Sequence, residues 1–372
     1  MKRLIICAAG VLPFLSMTDV ATGEPTIGVA VDLSGPDSFQ GDQILLGAEL
    51  AVEVVNGGGG VLDQPLAIIS VDDGCDPEQA VAAAAYMVDE RVDVVIGHLC
   101  SGASIAAAPI YEEAGIVMIS PSSTNPRLTD DGRANVFRVI GRDDHQGEIG
   151  ARYLLAEHGR SRIAILHDGT AYGQGLAVET KEELNRLGVE EILFGEYDPT
   201  STDYESLTEQ LAADAIEVLY VGGDAPEAAL ILRQAKEAGI DLQLISGDAL
   251  ATEEFWLVSG EVGEGTRFTF APDPRGNPSA KEIVERFREE GMEPLGYTLH
   301  SFAAVQAWAQ AAEAAGSAEV DDVTAALKQG TFDTVLGAIG FDDRGDVEGT
   351  ESFVWYEWRD GEYVQMSSEE VN

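Results

Sequence analysis

The chain has 372 residues and a formal net charge of −44, because 66 acidic residues outnumber 22 lysines and arginines. This charge argues against nucleic acid and acidic membrane surfaces as partners. The length is sufficient for two domains, each with its own core. Since the acids are spread along the chain rather than collected in a tail, we expect an acidic, solvated surface that needs salt for full stability.

The first 23 residues have the pattern of a secretory signal peptide. Lys2 and Arg3 precede a mostly apolar stretch over residues 4–15, and small residues at 21–23 suit a cleavage site. Lipid attachment at Cys7 is the less favoured alternative, because Cys7 lies too close to the basic start to follow a full apolar stretch. No other stretch is long and apolar enough to span a membrane, so we expect a soluble, exported mature protein.

From residue 26 to residue 140, apolar strand patterns alternate with helix patterns. The expected strands cover residues 26–31, 66–71, 94–97, 116–119 and 136–140, and the expected helices cover 40–55, 77–89 and 101–113. The four glycines at 57–60 predict a turn rather than a phosphate loop, because no Lys-Ser/Thr follows and no GxGxxG is complete. Short buried strands that alternate with helices indicate an α/β fold with parallel sheets.

A second alternation begins after a crossing between lobes at residues 141–144. Its expected strands cover 163–167, 191–197, 218–221, 243–246 and 267–270, and its helices cover 146–157, 173–187, 204–213 and 226–238. Residues 271–274, Ala-Pro-Asp-Pro, predict a linker. After it we expect helices at 279–290, 297–315 and 320–329, a strand at 335–341, and a hairpin of residues 353–358 and 363–366.

Residues 93–124 contain two loops that follow neighbouring strands at one edge of the sheet. Ser101 can cap the helix after the strand 94–97, and a helix start there favours an anion. The loop at 120–124, Ser-Pro-Ser-Ser-Thr, offers hydroxyl and carbonyl oxygens that suit a cation. Together the loops form a plausible cradle for the two charges of an amino acid, although such loops occur in any doubly wound domain.

The remaining reactive side chains favour binding over catalysis. The sequence contains no GxSxG, HExxH or Walker A motif, and His167 and Asp168 are adjacent on a strand, so they point to opposite faces. Cys75 and Cys100 follow buried strands at the same sheet edge, which predicts a disulfide in an exported protein. A metal site of Cys75, Cys100 and His98, with Asp76, is the alternative, but its spacing matches no standard zinc pattern. We expect no cofactor and no metal.

Several segments resemble the periplasmic leucine/isoleucine/valine-binding proteins of ABC importers. They include VIGHLCS, VDDGCDPEQAV, YEEAGIVMISPSST, LSGPDSFQGDQILLGAELAV and HDGTAYGQGLA, and the resemblance extends over residues 25–370. It implies the type I periplasmic binding protein fold, in which two doubly wound lobes are joined by three crossings and close over a ligand. The implied lobes are residues 24–141 with 272–350, and residues 142–271 with 351–372.

The resemblance also implies which residues hold the charged groups of the ligand. Ser101 matches the residue that binds the carboxylate, and the loop around Ser122 and Ser123 matches the ammonium-binding loop. Thr124 matches a residue that contacts both groups. Asp248 stands where a glutamate usually completes the ammonium site, and it is one methylene shorter.

Two positions differ from the pattern of the relatives, and they leave the identity of the ligand's side chain undecided. Gln40 and Asp224 stand where relatives place tyrosines around that side chain. A carboxylate that faces a buried aliphatic group is costly, so either Asp224 turns to solvent or the ligand carries a polar or cationic side chain. The other implied pocket residues are Tyr172, Tyr297, Leu99 and Phe39.

These expectations define a monomeric periplasmic protein that captures an L-amino acid and delivers it to an ABC permease. A branched aliphatic ligand is the default, and a polar or cationic amino acid or an amide is the alternative. A ligand sensor that docks to a receptor would share the same pocket. An exported hydrolase is the least favoured reading.

Overall fold

The structure is a computed structural model that describes residues 24–371. The predicted signal peptide, residues 1–23, lies outside this range. The described strands are β1 Thr26–Val31, β2 Ala67–Asp72, β3 Val94–Gly97, β4 Val117–Ser120, β5 Val136–Arg138, β6 Ile163–His167, β7 Leu193–Glu196, β8 Val218–Gly222, β9 Gln243–Ser246, β10 Arg267–Phe270, β11 Phe332–Thr334, β12 Gly337–Phe341, β13 Val347–Glu348, β14 Val354–Arg359 and β15 Glu362–Gln365.

Helices fill most of the connections between these strands. They are α1 Ser38–Gly57, α2 Pro77–Glu90, α3 Ser101–Ala114, α4 Arg127–Asp130, α5 Asp143–His158, α6 Ala171–Arg186, α7 Glu205–Ala213, α8 Ala225–Glu237, α9 Glu253–Ser259, α10 Lys281–Glu289, α11 Thr298–Ala315, α12 Val320–Gln329 and α13 Ser368–Val371. Among residues 24–371, no helix combines the length and the apolarity needed to cross a membrane.

Two larger sheets carry the fold, and the predicted α/β class is confirmed. The first sheet has the order β2-β1-β3-β4-β5 and is parallel throughout. The second has the order β15-β14-β10-β9-β8-β6-β7, in which β14 pairs antiparallel with both β10 and β15 and the other pairs are parallel. The central strands are short and buried along their whole length, as β3 and β4 show, because helices cover both faces of each sheet.

Local sequence explains where several of the helices begin and end. The Asp76 side chain accepts hydrogen bonds from the backbone N–H groups of Glu78 and Gln79, so it caps α2. The Thr170 hydroxyl oxygen caps α6 by accepting from the Gly173 N–H at 2.9 Å. Gly115 ends α3 with a left-handed φ of 72°, which glycine adopts without steric cost.

The segment after β10 returns to the first sheet. Helix α11 packs against α1, and Gly47 allows this close approach, because a Cβ at that position would lie 2.0 Å from the Thr298 carbonyl oxygen. The chain then crosses back, and β14 and β15 join the second sheet. The lobe limits inferred from the sequence stay a prediction.

Some sequence-based element assignments were wrong in detail. The strand expected at 335–341 begins only at Gly337, as β12; residues 335–336 form a turn that joins it to the antiparallel strand β11, and Gly337 follows this turn with a φ of 101°. The Thr334 hydroxyl donates to the Gly337 carbonyl oxygen at 2.8 Å and stabilises this turn. The short helices α4 and α9 were not predicted, since a single turn or two carries little periodic signal.

Candidate functional site

A cavity of about 570 Å³ lies between the two sheets, at the carboxyl ends of their strands. One wall comes from the first sheet, where Leu99 and Ser101 follow β3 and Ser122 follows β4. The opposite wall comes from the second sheet, where Tyr172 belongs to α6 and Asp248 follows β9. Ligands of doubly wound proteins bind at this edge, because the loops there diverge and leave a crevice.

The start of α3 forms an anion-favouring part of the first wall. Cys100 occupies the N-cap position without a side-chain hydrogen bond, so the prediction that Ser101 caps the helix was wrong. Ser101 is the first helical residue, and its hydroxyl oxygen accepts from the Asn125 N–H at 3.3 Å. The first N–H groups of a helix have no partner within the helix, so they and the Ser101 hydroxyl can receive a carboxylate.

The loop after β4 is folded back on the loop after β3. The Ser122 hydroxyl donates to the Leu99 carbonyl oxygen at 2.9 Å, and the Ser123 hydroxyl contacts the same oxygen at 3.1 Å. The Ser123 hydroxyl also lies 2.7 Å from Ser104 Oγ. Of the predicted loop residues, Ser122 lines the cavity, whereas Ser123 and Thr124 lie behind its wall.

Asp248 forms the centre of the opposite wall. Its two carboxylate oxygens accept hydrogen bonds from the Tyr172 hydroxyl at 3.0 Å and from the Tyr297 hydroxyl at 2.6 Å. Burial raises the pKa of the Asp248 carboxyl, and the bonds from the two tyrosines oppose part of this rise. The structure therefore brings together three residues that the sequence nominated separately.

Asp143 is a residue that the sequence reasoning missed. It begins α5, is fully buried, and does not itself line the cavity. Burial raises the pKa of the Asp143 carboxyl well above its usual range, and the nearby Asp248 raises it further. The Thr124 hydroxyl and the nearby Arg138 guanidinium oppose part of this rise, so Asp143 lies with partners of its own behind the wall that Asp248 forms. Its sequence signal was the Asp143-Asp144 pair after β5, interpreted only as a crossing.

The two residues that replace the expected tyrosines, Gln40 and Asp224, both line the cavity. Gln40 is buried and its amide nitrogen donates to the Ala249 carbonyl oxygen at 2.7 Å, across the two walls. Asp224 lines the cavity, where three further acids that the sequence reasoning did not assign to the site join it. These are Asp37, Asp168 and Glu227.

Phe39 is the predicted pocket residue that the structure does not bring to the cavity. Its side chain is 46% exposed, because it lies one helical position from the inward-facing Gln40 and therefore about 100° around α1. Leu99 remains as a predicted apolar contact in the wall.

Cys75 and Cys100 form a disulfide at the rim of the cavity. Because both sulfurs are bonded to each other, neither is available as a thiolate ligand for the alternative metal site. His98 is buried, with Nδ1 at 2.5 Å from Asp73 Oδ2 and Nε2 at 2.9 Å from the Tyr111 hydroxyl. These contacts fix His98 within the core of the first sheet rather than in the cavity.

Comparison with known proteins agrees with this arrangement. The sequence profile of the family described as "Periplasmic binding protein" matches residues 24–362. The Leu/Ile/Val-binding protein homolog 1 of Brucella suis is 41% identical over 362 residues, which is 97% of each chain. An amino acid binding protein of Pseudomonas aeruginosa is 38% identical over 365 residues, again 97% of each chain.

Solved structures have the same architecture. A leucine-binding protein from Thermotoga maritima has a TM-score of 0.85 and 28% identity, and the match covers 92% of this chain and 98% of that one. A substrate-binding protein of an ABC transporter from Desulfitobacterium hafniense, in complex with leucine, has a TM-score of 0.76 and 31% identity over 92% of this chain and all of that one. With its paired sheets, its cavity between them and relatives that match it nearly end to end, the chain belongs to the periplasmic binding protein family.

Proposed function

We propose that this protein captures an L-α-amino acid in the cavity between its two sheets and delivers it, chemically unchanged, to an ABC importer. One observation carries the proposal: the start of α3 with Ser101 faces, across a single cavity, a wall built on the buried acid Asp248. The first wall suits a carboxylate and the second suits an ammonium group. An α-amino acid carries both charges on adjacent atoms.

The family supports the cellular part of the proposal. Its named relatives are binding proteins, and the leucine-bound neighbour belongs to an ABC transporter. We infer that the mature protein acts in the periplasm as a monomer and that hinge motion between its two lobes admits and releases the ligand. The names of several relatives make a branched aliphatic side chain the starting expectation for the ligand.

Isothermal titration calorimetry with the purified mature protein tests the proposal. We expect one site for at least one L-amino acid and much weaker binding of its D-enantiomer. If a complete panel of L-amino acids gives neither heat nor a thermal shift, the proposal is wrong.

Ser101→Ala tests the carboxylate-binding wall directly. We expect the binding free energy of the L-amino acid to weaken by about 1.5–3 kcal/mol, the usual contribution of a hydrogen bond to a charged group. Ser206→Ala, at an exposed position of α7, is the matched control and should bind as the wild type does. An unchanged affinity in Ser101→Ala would move the carboxylate site elsewhere.

A further inference from the structure

The cavity is lined by far more acid than an amino acid ammonium group requires. Besides Asp248, its walls include Asp76 at the rim and four acids grouped around the end of the cavity where Gln40 lies. These four are Asp37, Asp168, Asp224 and Glu227. No lysine, arginine or histidine occurs among the described residues that line the cavity.

Two of these acids are buried, and each has at least one carboxylate oxygen without a partner among the described residues. Asp37 is 7% exposed, and no hydrogen bond or ion pair reaches its carboxylate within the described part of the chain. Asp168 is 5% exposed; its Oδ1 accepts from the Thr170 hydroxyl and N–H, whereas its Oδ2 has no partner. Asp224 is the N-cap residue of α8, yet its side chain does not form the cap bond that an aspartate at that position usually makes. Asp37 and Asp224 therefore line the cavity without a hydrogen-bond partner among the described residues, and Asp168 has one buried, unpaired oxygen.

The raised pKa values of these carboxyls show that burying several of them together in the ionised form is unfavourable. Burial raises the pKa of the Asp37 carboxyl to about 7, and repulsion from Glu227, Asp32, Glu254 and Asp168 adds to the rise. Burial likewise raises the pKa of Asp224, with contributions from Asp37, Asp168 and Glu227. An aliphatic side chain placed here would remove water from these carboxylates and offer no hydrogen bond in return. A cation would neutralise them and donate hydrogen bonds to them.

We propose that the ligand is a basic α-amino acid, whose side-chain guanidinium or ammonium group occupies the end of the cavity lined by Asp37, Asp168, Asp224 and Glu227. This inference rests on the proposed function, because the backbone charges of the ligand are held by Ser101 and Asp248 as described above. The roles are distinct: Asp248 serves the α-ammonium group, and the four acids serve the side chain. Leu99 remains available to contact the methylene groups between the two charges.

Calorimetry with four probes at pH 7.5 separates the possibilities. L-arginine and L-lysine carry a side-chain cation, L-citrulline is the neutral isostere of arginine, and L-leucine is the aliphatic reference. We expect arginine or lysine to bind at least about tenfold more tightly than leucine, and arginine at least about tenfold more tightly than citrulline, as for the loss of a charge-assisted hydrogen bond.

Two results would overturn the inference by different routes. If leucine binds as tightly as arginine and lysine or more tightly, or if citrulline equals arginine, the basic side chain is wrong while amino acid capture stands. If none of these probes and no other L-amino acid binds, the proposed function itself is wrong. Calcium alone should produce no heat, and calcium binding that displaces arginine would assign the acids to a metal instead.

Variants of the acids test the assigned residues. Asp224→Asn and Asp37→Asn should each weaken arginine binding by about tenfold or more and leave leucine binding unchanged or stronger. Glu209→Gln, an exposed acid on α7 of the same sheet's helices, is the matched control and should change neither affinity. Equal losses for arginine and leucine in Asp224→Asn would contradict the assignment.

The pH dependence of binding to the wild-type protein tests the same inference and does not require any variant to fold. As the pH falls from 8 to 6, Asp37 takes up a proton, since its pKa of about 7 lies within this range. Affinity for arginine should therefore fall several-fold relative to the affinity for leucine over the same range, because leucine makes no ionic contact with this group. Parallel pH profiles for the two amino acids would overturn the inference.

Discussion

Asp346→Asn should destabilise the protein severely, because Asp346 neutralises two arginines at once. Asp346 Oδ1 accepts from Arg138 Nε at 2.7 Å, and Oδ2 accepts from Arg142 Nη1 at 3.0 Å. The Arg138 side chain is fully buried, and its Nη1 also donates to the Ser123 and Asn125 carbonyl oxygens at 2.9 and 3.1 Å. Asp346 therefore also supports, through Arg138, the loop behind the cavity wall.

The size of the effect follows from these contacts. At an effective dielectric constant of about 20 and a separation of about 4 Å, each arginine–carboxylate attraction contributes roughly 4 kcal/mol. The variant loses both attractions but no longer has to desolvate a carboxylate, which offsets several kcal/mol. The net loss should be about 3–5 kcal/mol, the range found when one partner of a buried pair is removed.

Urea unfolding followed by tryptophan fluorescence measures this loss. The matched control is Asp343→Asn, three residues earlier in the same turn, which is exposed and should unfold like the wild type. Ligand affinity should fall in Asp346→Asn and not in the control, because Arg138 holds the carbonyl groups of the loop. A free energy of unfolding within about 1 kcal/mol of the wild-type value, the size of an exposed ion pair, would refute the reasoning.

Three further predictions concern stability. The double variant Cys75→Ser/Cys100→Ser should lose about 3.5 kcal/mol of unfolding free energy, the chain-entropy value for cysteines separated by 25 residues, and an unchanged urea midpoint would contradict this. Lowering the pH from 8 to 6 should stabilise the ligand-free protein. Burial and nearby acids raise the pKa of Asp37 and of Glu254 to about 7, whereas unfolded carboxyls titrate near pH ~4, so these two carboxyls take up protons in this window only in the folded state. His300 opposes this only below pH ~6.5, because burial lowers its pKa to about 4; a Tm that falls between pH 8 and 6 would be the contrary result. Finally, the net charge of −44 should make the Tm rise from low to molar salt, and a flat or falling Tm would remove that expectation.

Much of the fold could be predicted because its signals are local. Runs such as Val94–Gly97 are apolar throughout, and Gly115 marks a helix end. Both the strand and the helix end can therefore be predicted from the local sequence alone. The terminal hairpin was predicted correctly, since Asp360-Gly361 forms a turn between two alternating strands. The turn at Gly337 was missed because Val335 and Leu336 continue the apolar pattern across it.

The candidate site was less predictable, because burial of a polar side chain depends on segments far apart in the chain. Asp143 looks like any loop acid in sequence, yet the fold places it beside Asp248, more than a hundred residues later. Asp37 and Asp168 likewise become cavity residues only when the two sheets meet. Phe39 and Gln40 show the converse limit: adjacent residues on a helix differ by about 100° in direction, so a shift of one position decides which of them faces the ligand.

The hydrogen bond between the Gln40 amide and the Ala249 carbonyl group affects the residence time of a bound ligand. It joins α1, which packs on the first sheet, to the segment after β9 of the second sheet. The Asn125 side-chain amide makes another bond across the cavity, because it donates to the Ala171 carbonyl oxygen of α6 at 2.6 Å. Because both hydrogen bonds join protein groups only, opening the cavity must break them whichever ligand is bound. Each adds roughly 0.5–1.5 kcal/mol to the resistance against opening. Substitutions at positions that do not contact the ligand should therefore change the residence time of the ligand.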